Sequence, residues 1–259
     1  MRMESAIAAN RFGLGAKPGE LEKVDRNPRS WLLDQLAGPS RRPAEISDLP
    51  PSSAVLVEIQ ELRREQRQMR AVADDDPAPD IVQAYGRVVR GHYLEQARTR
   101  YRHAAGTDLP FYERLIHFWA NHFAVSADKQ PMPAVAGLYE KEAIRPNITG
   151  NFADLLIACE QHPAMITYLD NQRSIGENST LGKRANRFQR ERNIGLNENL
   201  AREILELHTL GVDGGYTQDD VTTFARVITG WSIGGAADVG RFFDGVPGDF
   251  EFRELIHEP

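Results

Sequence analysis

The stretch from Asn197 to Gly211 constrains the fold more than any other part of the chain. Asn stands at its head and Gly at its foot, with apolar residues at helical spacing between them, so the spacing predicts a helix from about Asn197 through Leu210. Leu200, Ile204 and Leu207 form one apolar stripe, and Ala201, Leu205 and His208 form a second beside it. Asn199, Arg202, Glu203 and Glu206 fall at i, i+3, i+4 and i+7, which places them on one polar stripe. Apolar residues cover more than half the circumference, so the helix is expected to be buried on most sides, with the polar stripe facing a cavity or a buried ionic network. Two carboxylates one turn apart repel. One is therefore expected to hold a raised pKa, or to share Arg202 or a metal. That arrangement suits general acid–base work or metal binding. It suits equally a structural network in which Arg202 bridges neighbouring helices. Glu203 and His208 are five residues apart, about 140° around a regular helix, so this helix alone does not make a Glu–His metal site.

The same punctuation recurs along the chain and predicts a mainly α fold: an irregular multi-helix bundle with a long helical hairpin and a small C-terminal β-hairpin. Met3–Phe12 reads as a short helix, and Asn27-Pro28 as cap and first residue of a helix through Ala37. Val55, Ile59, Leu62, Gln66, Met69 and Ala73 alternate by four and three, a coiled-coil-like seam. Asp74–Asp80 reads as a turn, and Asp80 as the cap of a second long helix through about Ala105, with Ile81, Tyr85, Val88 and His92 on one face. Together the two make an antiparallel hairpin over 53–105. Its many arginines read as a solvated face with interspersed Glu, or alternatively as a contact surface for a protein partner. Further helices are expected over Pro110–Phe123, Pro133–Ile144, Phe152–Gln161 capped by Asn151, and Pro163–Leu169. Asp170–Gly195 is polar and reads as a long irregular loop. Thr217 and Asp220 have capping-box spacing for a helix to Thr229, which Gly230 ends. Arg241–Phe243 and Asp249–Phe252 read as a hairpin, with Trp231 packed beneath it. One helical domain over 1–259 is expected, divided into N-terminal helices (1–52), the hairpin (53–105), a motif-bearing core (106–231) and a tail (232–259).

Three further clusters carry candidate chemistry. His117 and Asn121 share a helical face and are expected to look into a pocket, whereas His122 lies about 140° from His117 and reads as a core histidine bonded to backbone. Asp170, in Tyr168-Leu169-Asp170-Asn171, has the chemistry of a base or ligand and the position of a turn residue. Cys159, the only cysteine, can form no internal disulfide, and its apolar neighbours predict a buried thiol. The expected site thus comprises Glu203, Glu206 and His117 as catalytic groups, with Asn121, Asn199, Arg202 and Asp170 binding substrate. The cofactor is left open, with room for a divalent metal.

Composition excludes more than it assigns. The net charge of -6 and the pI near 5.7 argue against nucleic-acid binding, which needs a clustered excess of Lys and Arg. No run is long and apolar enough for a membrane span. Met1–Asn10 lacks the apolar core of a secretory signal, which makes the cytoplasm the default expectation. Gly-x-Gly-x-x-Gly, Gly-x-x-x-x-Gly-Lys, Gly-x-Ser-x-Gly and His-Glu-x-x-His are absent, so common nucleotide, serine-hydrolase and zinc-protease readings have no support.

Several motifs taken together resemble one family. They are Asn-Arg-Phe-Gly-Leu-Gly (Asn10–Gly15), Phe-Trp-Ala-Asn-His-Phe (Phe118–Phe123), His-Pro-Ala-Met with Tyr-Leu-Asp-Asn (His162–Asn171), the long run Leu196–Val212, then Gly-Tyr-Thr-Gln-Asp-Asp-Val (Gly215–Val221) and Thr-Gly-Trp (Thr229–Trp231). With these the chain is similar to the bacterial domain of unknown function 1800 family. The resemblance implies membership but no activity. Many relatives are longer and exported, and the ending Phe252–Pro259 resembles the start of a motif that continues, so an incomplete C-terminus is expected. The functional expectation is a polar pocket between helices doing metal-assisted or carboxylate-based hydrolysis. The alternative is a non-catalytic helical scaffold or partner-binding protein.

Overall fold

The computed structural model describes residues 3–37, 42–72, 79–187, 195–235 and 248–259, with backbone alone for 70–72 and 79–82. Its elements are helical apart from one short two-stranded sheet. The N-terminal helices are α1 (Met3–Ile7), continued by a π-helical turn over Ala8–Phe12, then α2 (Glu20–Val24), α3 (Pro28–Leu36) and α4 (Ala44–Ser47). Asn27 caps α3 as expected, accepting the Ser30 N–H ahead of Pro28 in the first helical position.

Two long helices follow, α5 (Ser52–Val72) and α6 (Pro79–Gly106). Arg63 of α5 donates to the Tyr85 hydroxyl at 2.8 Å, and His92 lies 2.9 Å from Glu58. As one index falls the other rises, which fixes an antiparallel hairpin. The expected seam is buried where it begins, at Val55 and Ile59, and opens outward to an exposed Met69. Helix α6 starts at Pro79, one residue ahead of the expected Asp80 cap, and the turn expected over 74–78 lies outside the described residues, as does Ala73.

The motif-bearing part packs against this hairpin. Helix α7 (Pro110–His122) leads to a 3-10 turn at Met132–Ala134, then α8 (Ala136–Tyr139), which widens into a π-helical segment over Glu140–Ile144. Next come α9 (Phe152–Glu160), α10 (Pro163–Tyr168) and α11 (Thr180–Arg187). Helix α11 replaces part of the irregular loop expected over 170–195. Ser179 Oγ takes the Gly182 N–H and bonds the Gly176 carbonyl, anchoring a helix start that the polar composition concealed. Residues 188–194 of that stretch lie outside the described residues. Asn151 holds the N-cap position of α9 without a side-chain cap bond, its amide going to Asp154 instead.

Helix α12 (Asn199–Glu203) continues as a π-helical segment over Ile204–Thr209, and α13 (Gln218–Ile228) packs against it. Asn197 accepts the Asn199 N–H at the start of α12. Thr217 and Asp220 form the expected capping box, and Gly230 has a φ of 96°, the left-handed stop expected there. The sheet departs from expectation. Strand β1 (Trp231–Ile233) pairs antiparallel with β2 (Phe250–Phe252) in register Trp231 to Phe252, so Trp231 is part of the sheet and not a residue beneath it. Arg241–Phe243 lies outside the described residues.

One contact sets how closely α8 approaches α6. Buried Gln96 donates to the Ala134 carbonyl at 2.6 Å and accepts the Gly137 N–H at 2.9 Å. A Cβ on Gly137 would lie 2.8 Å from the Gln96 Cβ. Gly137→Ala is therefore expected to lower stability by about 1–3 kcal/mol, the usual cost of overpacking, readable in a denaturant melt.

Candidate functional site

Two buried ionic centres emerge, and both depend on π-helical segments. In a π turn the hydrogen bond runs from i+5 to i, so residues five apart come into stacking range. The Arg145 N–H bonds the Glu140 carbonyl in this way, and the Leu210 N–H bonds that of Leu205.

The first centre surrounds Glu113 on α7, which is 1% exposed. Arg145 clamps it with two bonds of 2.5 and 2.9 Å, and also bonds Glu140 Oε1 at 2.8 Å. Arg100 holds the second Glu140 oxygen at 2.6 Å. His103 lies 3.3 Å from Glu113 and 2.7 Å from Glu45, and His117 lies 3.5 Å from Glu113. Burial alone would raise the Glu113 carboxyl, but the donors of His103, His117 and Arg145 outweigh it and hold the group far below the usual carboxylate range. Bonding to Glu113 raises His103 against the opposing effect of burial. Both Glu113 oxygens have a donor from Arg145, whereas His117 Nε2 makes no well-aligned hydrogen bond.

The second centre is less well satisfied. Glu160, the last residue of α9, is 2% exposed, and His208 in the π segment after α12 is 5% exposed. His208 Nδ1 lies 2.7 Å from Glu160 Oε1. Neither Glu160 oxygen nor that ring nitrogen has a well-aligned hydrogen bond. Burial and the nearby Glu203 charge push the Glu160 carboxyl up, against the lowering effect of His208 and His122. His122 Nε2 donates to the His208 carbonyl at 3.1 Å, the backbone bond expected of it. Cys159 beside this pair is pushed up to about 12 by burial, so it carries no thiolate at neutral pH and is not a nucleophile.

The polar stripe of the long motif is not buried as expected. Arg202 is 37% exposed in its side chain and bonds Glu198, Glu206 and Gln218, tying α12 to α13 at the surface. Asn199 is exposed, and Leu207 of the expected apolar stripe is 56% exposed. For Leu207 the π segment accounts for this, because widening after Glu203 rotates later residues away from their regular α-helical positions, whereas Asn199 and Arg202 precede the segment and are exposed on the α-helical turn itself. Arg202→Met is expected to cost less than about 1 kcal/mol, as exposed ion pairs do, by chemical denaturation.

The remaining candidate residues stand apart. His117 belongs to the Glu113 centre, and Asn121 is exposed. Asp170 adopts a left-handed φ of 58° at the end of α10, where Lys129 bonds its carboxylate at 2.5 Å together with the Thr167 and Tyr168 carbonyls. Among the described residues, no group of three or more His, Cys, Asp or Glu is placed to hold a metal ion. Glu160 was missed because it ends an apolar helix, ahead of Gln161 and the His162 cap, and looks like a surface residue. Only its spacing from Leu155, Leu156 and Cys159 hinted at burial.

The fold and these centres define a helical protein with two buried carboxylate centres, one saturated and one not. The chain belongs to the family described as protein of unknown function (DUF1800), whose model matches residues 7–259. No curated protein and no solved structure matches it. No helix among the described residues is long and apolar enough to cross a membrane.

Proposed function

We infer that the protein is an acid–base enzyme of the hydrolytic class, working through the Glu160–His208 pair, with Glu203 and His122 tuning it. One observation carries this reading. A carboxylate and an imidazole approach to 2.7 Å in the interior, while both carboxylate oxygens lack an aligned donor. A folding device would satisfy those oxygens, as the Glu113 centre does, because an unmade buried hydrogen bond is costly. A group poised to exchange a proton needs a carboxyl raised toward neutrality and a partner within reach. Moving one proton between Glu160 Oε1 and His208 Nδ1 converts the ion pair into a neutral pair, so either partner can act as base toward a water. His122 and Glu203 are half-buried, and His122 reaches the His208 carbonyl. Of the residues expected from sequence, this reading keeps Glu203, and it favours carboxylate chemistry over a metal-assisted route.

The test is a panel of chromogenic esters, amides, phosphoesters and glycosides, assayed with wild type and Glu160→Gln. Activity on one class that is lost in Glu160→Gln supports the reading. Activity on none, or activity that the substitution leaves untouched, rejects it and leaves the non-catalytic scaffold.

A further inference from the structure

A cavity of about 250 Å³ opens between α6, α7 and α8, lined by neither Glu160 nor His208. It exists because the facing positions are small: Ala97 on α6, Ala120 on α7 and Ala136 on α8. Tyr93 and Tyr101 line it from α6 and are both exposed, which puts them at the mouth. Arg100, one turn beyond Ala97, supplies the charge.

The hydrogen bonding of Arg100 shows what is unused. Its Nε bonds Glu140 Oε2 at 2.6 Å, and Arg145 already takes the other Glu140 oxygen. Each Glu140 oxygen thereby has a donor. The two terminal nitrogens of Arg100 have no acceptor among the described residues, and the guanidinium lies 6.0 Å from the Tyr101 ring centre. A guanidinium edge with free donors matches a carboxylate through two parallel charge-assisted bonds. The volume equals roughly eight waters at about 30 Å³ each, room for a body of six or seven carbons. Glu140 lines the same cavity and shares the Arg100 charge, so a ligand carboxylate must take the terminal edge of Arg100, and a second one would find no other cation in the lining.

We propose that this cavity binds a small monocarboxylic acid with a compact apolar body. The carboxylate sits on the terminal nitrogens of Arg100, the body rests against Ala97, Ala120 and Ala136, and Tyr93 and Tyr101 flank the entrance. This site is independent of the Glu160 pair.

Benzoate and its uncharged counterpart benzyl alcohol are suitable probes, titrated into the full chain by calorimetry and by NMR. Benzoate is expected to bind saturably, and benzyl alcohol at least tenfold more weakly. Ala97→Leu, which fills the cavity and leaves the ion pairs intact, is expected to abolish benzoate binding, and Arg100→Gln to weaken it at least tenfold. Circular dichroism establishes that each variant is folded. The comparison of the two probes on wild type stands even if a variant fails to fold. Absence of saturable benzoate binding overturns the proposal. So does equal affinity for the alcohol, or binding that survives in a folded Ala97→Leu.

Discussion

Arg145→Met is expected to destabilise the protein by about 3–5 kcal/mol, because it leaves a buried charge uncompensated. For a chain of this size that corresponds to a fall in melting temperature of roughly 6–20 °C. Arg145 supplies both bonds to the Glu113 carboxylate and holds one oxygen of Glu140. Without it Glu113 keeps only the longer contacts to His103 and His117, while Glu140 keeps Arg100. Methionine fills similar volume but donates nothing. Adding Glu113→Gln to Arg145→Met is expected to restore part of the loss, since it removes the stranded charge, and a double-mutant cycle measures how much. The same centre predicts acid sensitivity. Glu113 titrates far below its ordinary value of 4.5 in the folded protein. Its contribution is therefore fully present above that value and is lost as pH falls below it. Melts of wild type and Glu113→Gln should converge in acid. A loss below about 1 kcal/mol in Arg145→Met, the range of exposed pairs, would show that the clamp is not formed.

Helix existence was legible from capping chemistry, which is local. Asn27-Pro28, the Thr217–Asp220 box and Gly230 act within one turn of chain, and each appears where its sequence places it. The fold class followed from them. The site was legible only in part, because the helical wheel assumes 3.6 residues per turn throughout. The chain breaks that assumption at Glu140–Ile144 and Ile204–Thr209, the two segments that carry the buried charges. Nothing in Ile-Leu-Glu-Leu-His-Thr marks it as π-helical. Arg202, ahead of the second of these segments, pairs with Glu206 at the surface, while His208, placed in the core by the wheel, meets a carboxylate 48 positions earlier in the chain. Contacts of that separation leave no local pattern. Helix α11 escaped for a different reason: its amphipathic residues are mostly Lys, Arg and Asn, a composition that resembles a loop.

Glu160→Gln is expected to separate activity from stability by moving them in opposite directions. As a general base or acid, the Glu160 carboxyl should account for about 10²–10⁴-fold of any hydrolytic rate, the usual contribution of a positioned proton-transfer group. Glutamine keeps the shape and cannot exchange a proton, so the rate should fall by that factor. Stability should change the other way. Burial first, and Glu203 with it, raises the Glu160 carboxyl in the folded state above its ordinary value of 4.5. The folded protein thus holds a proton that the unfolded chain releases, and stability falls as pH rises from about that value through the raised folded one. A neutral glutamine has no such dependence. The variant should melt with wild type near pH 4 and above it at pH 8, by an amount on the order of 1–3 kcal/mol, the penalty of an unsatisfied buried polar group. His208→Gln separates the two roles further. It withdraws the imidazole that favours the ionised carboxylate, so its melts should fall more steeply with rising pH than those of wild type. A Glu160→Gln variant less stable than wild type at pH 8 would show that the pair is a satisfied ion pair like the Glu113 clamp. The acid–base reading would then lose its physical basis, whatever the assay panel returned.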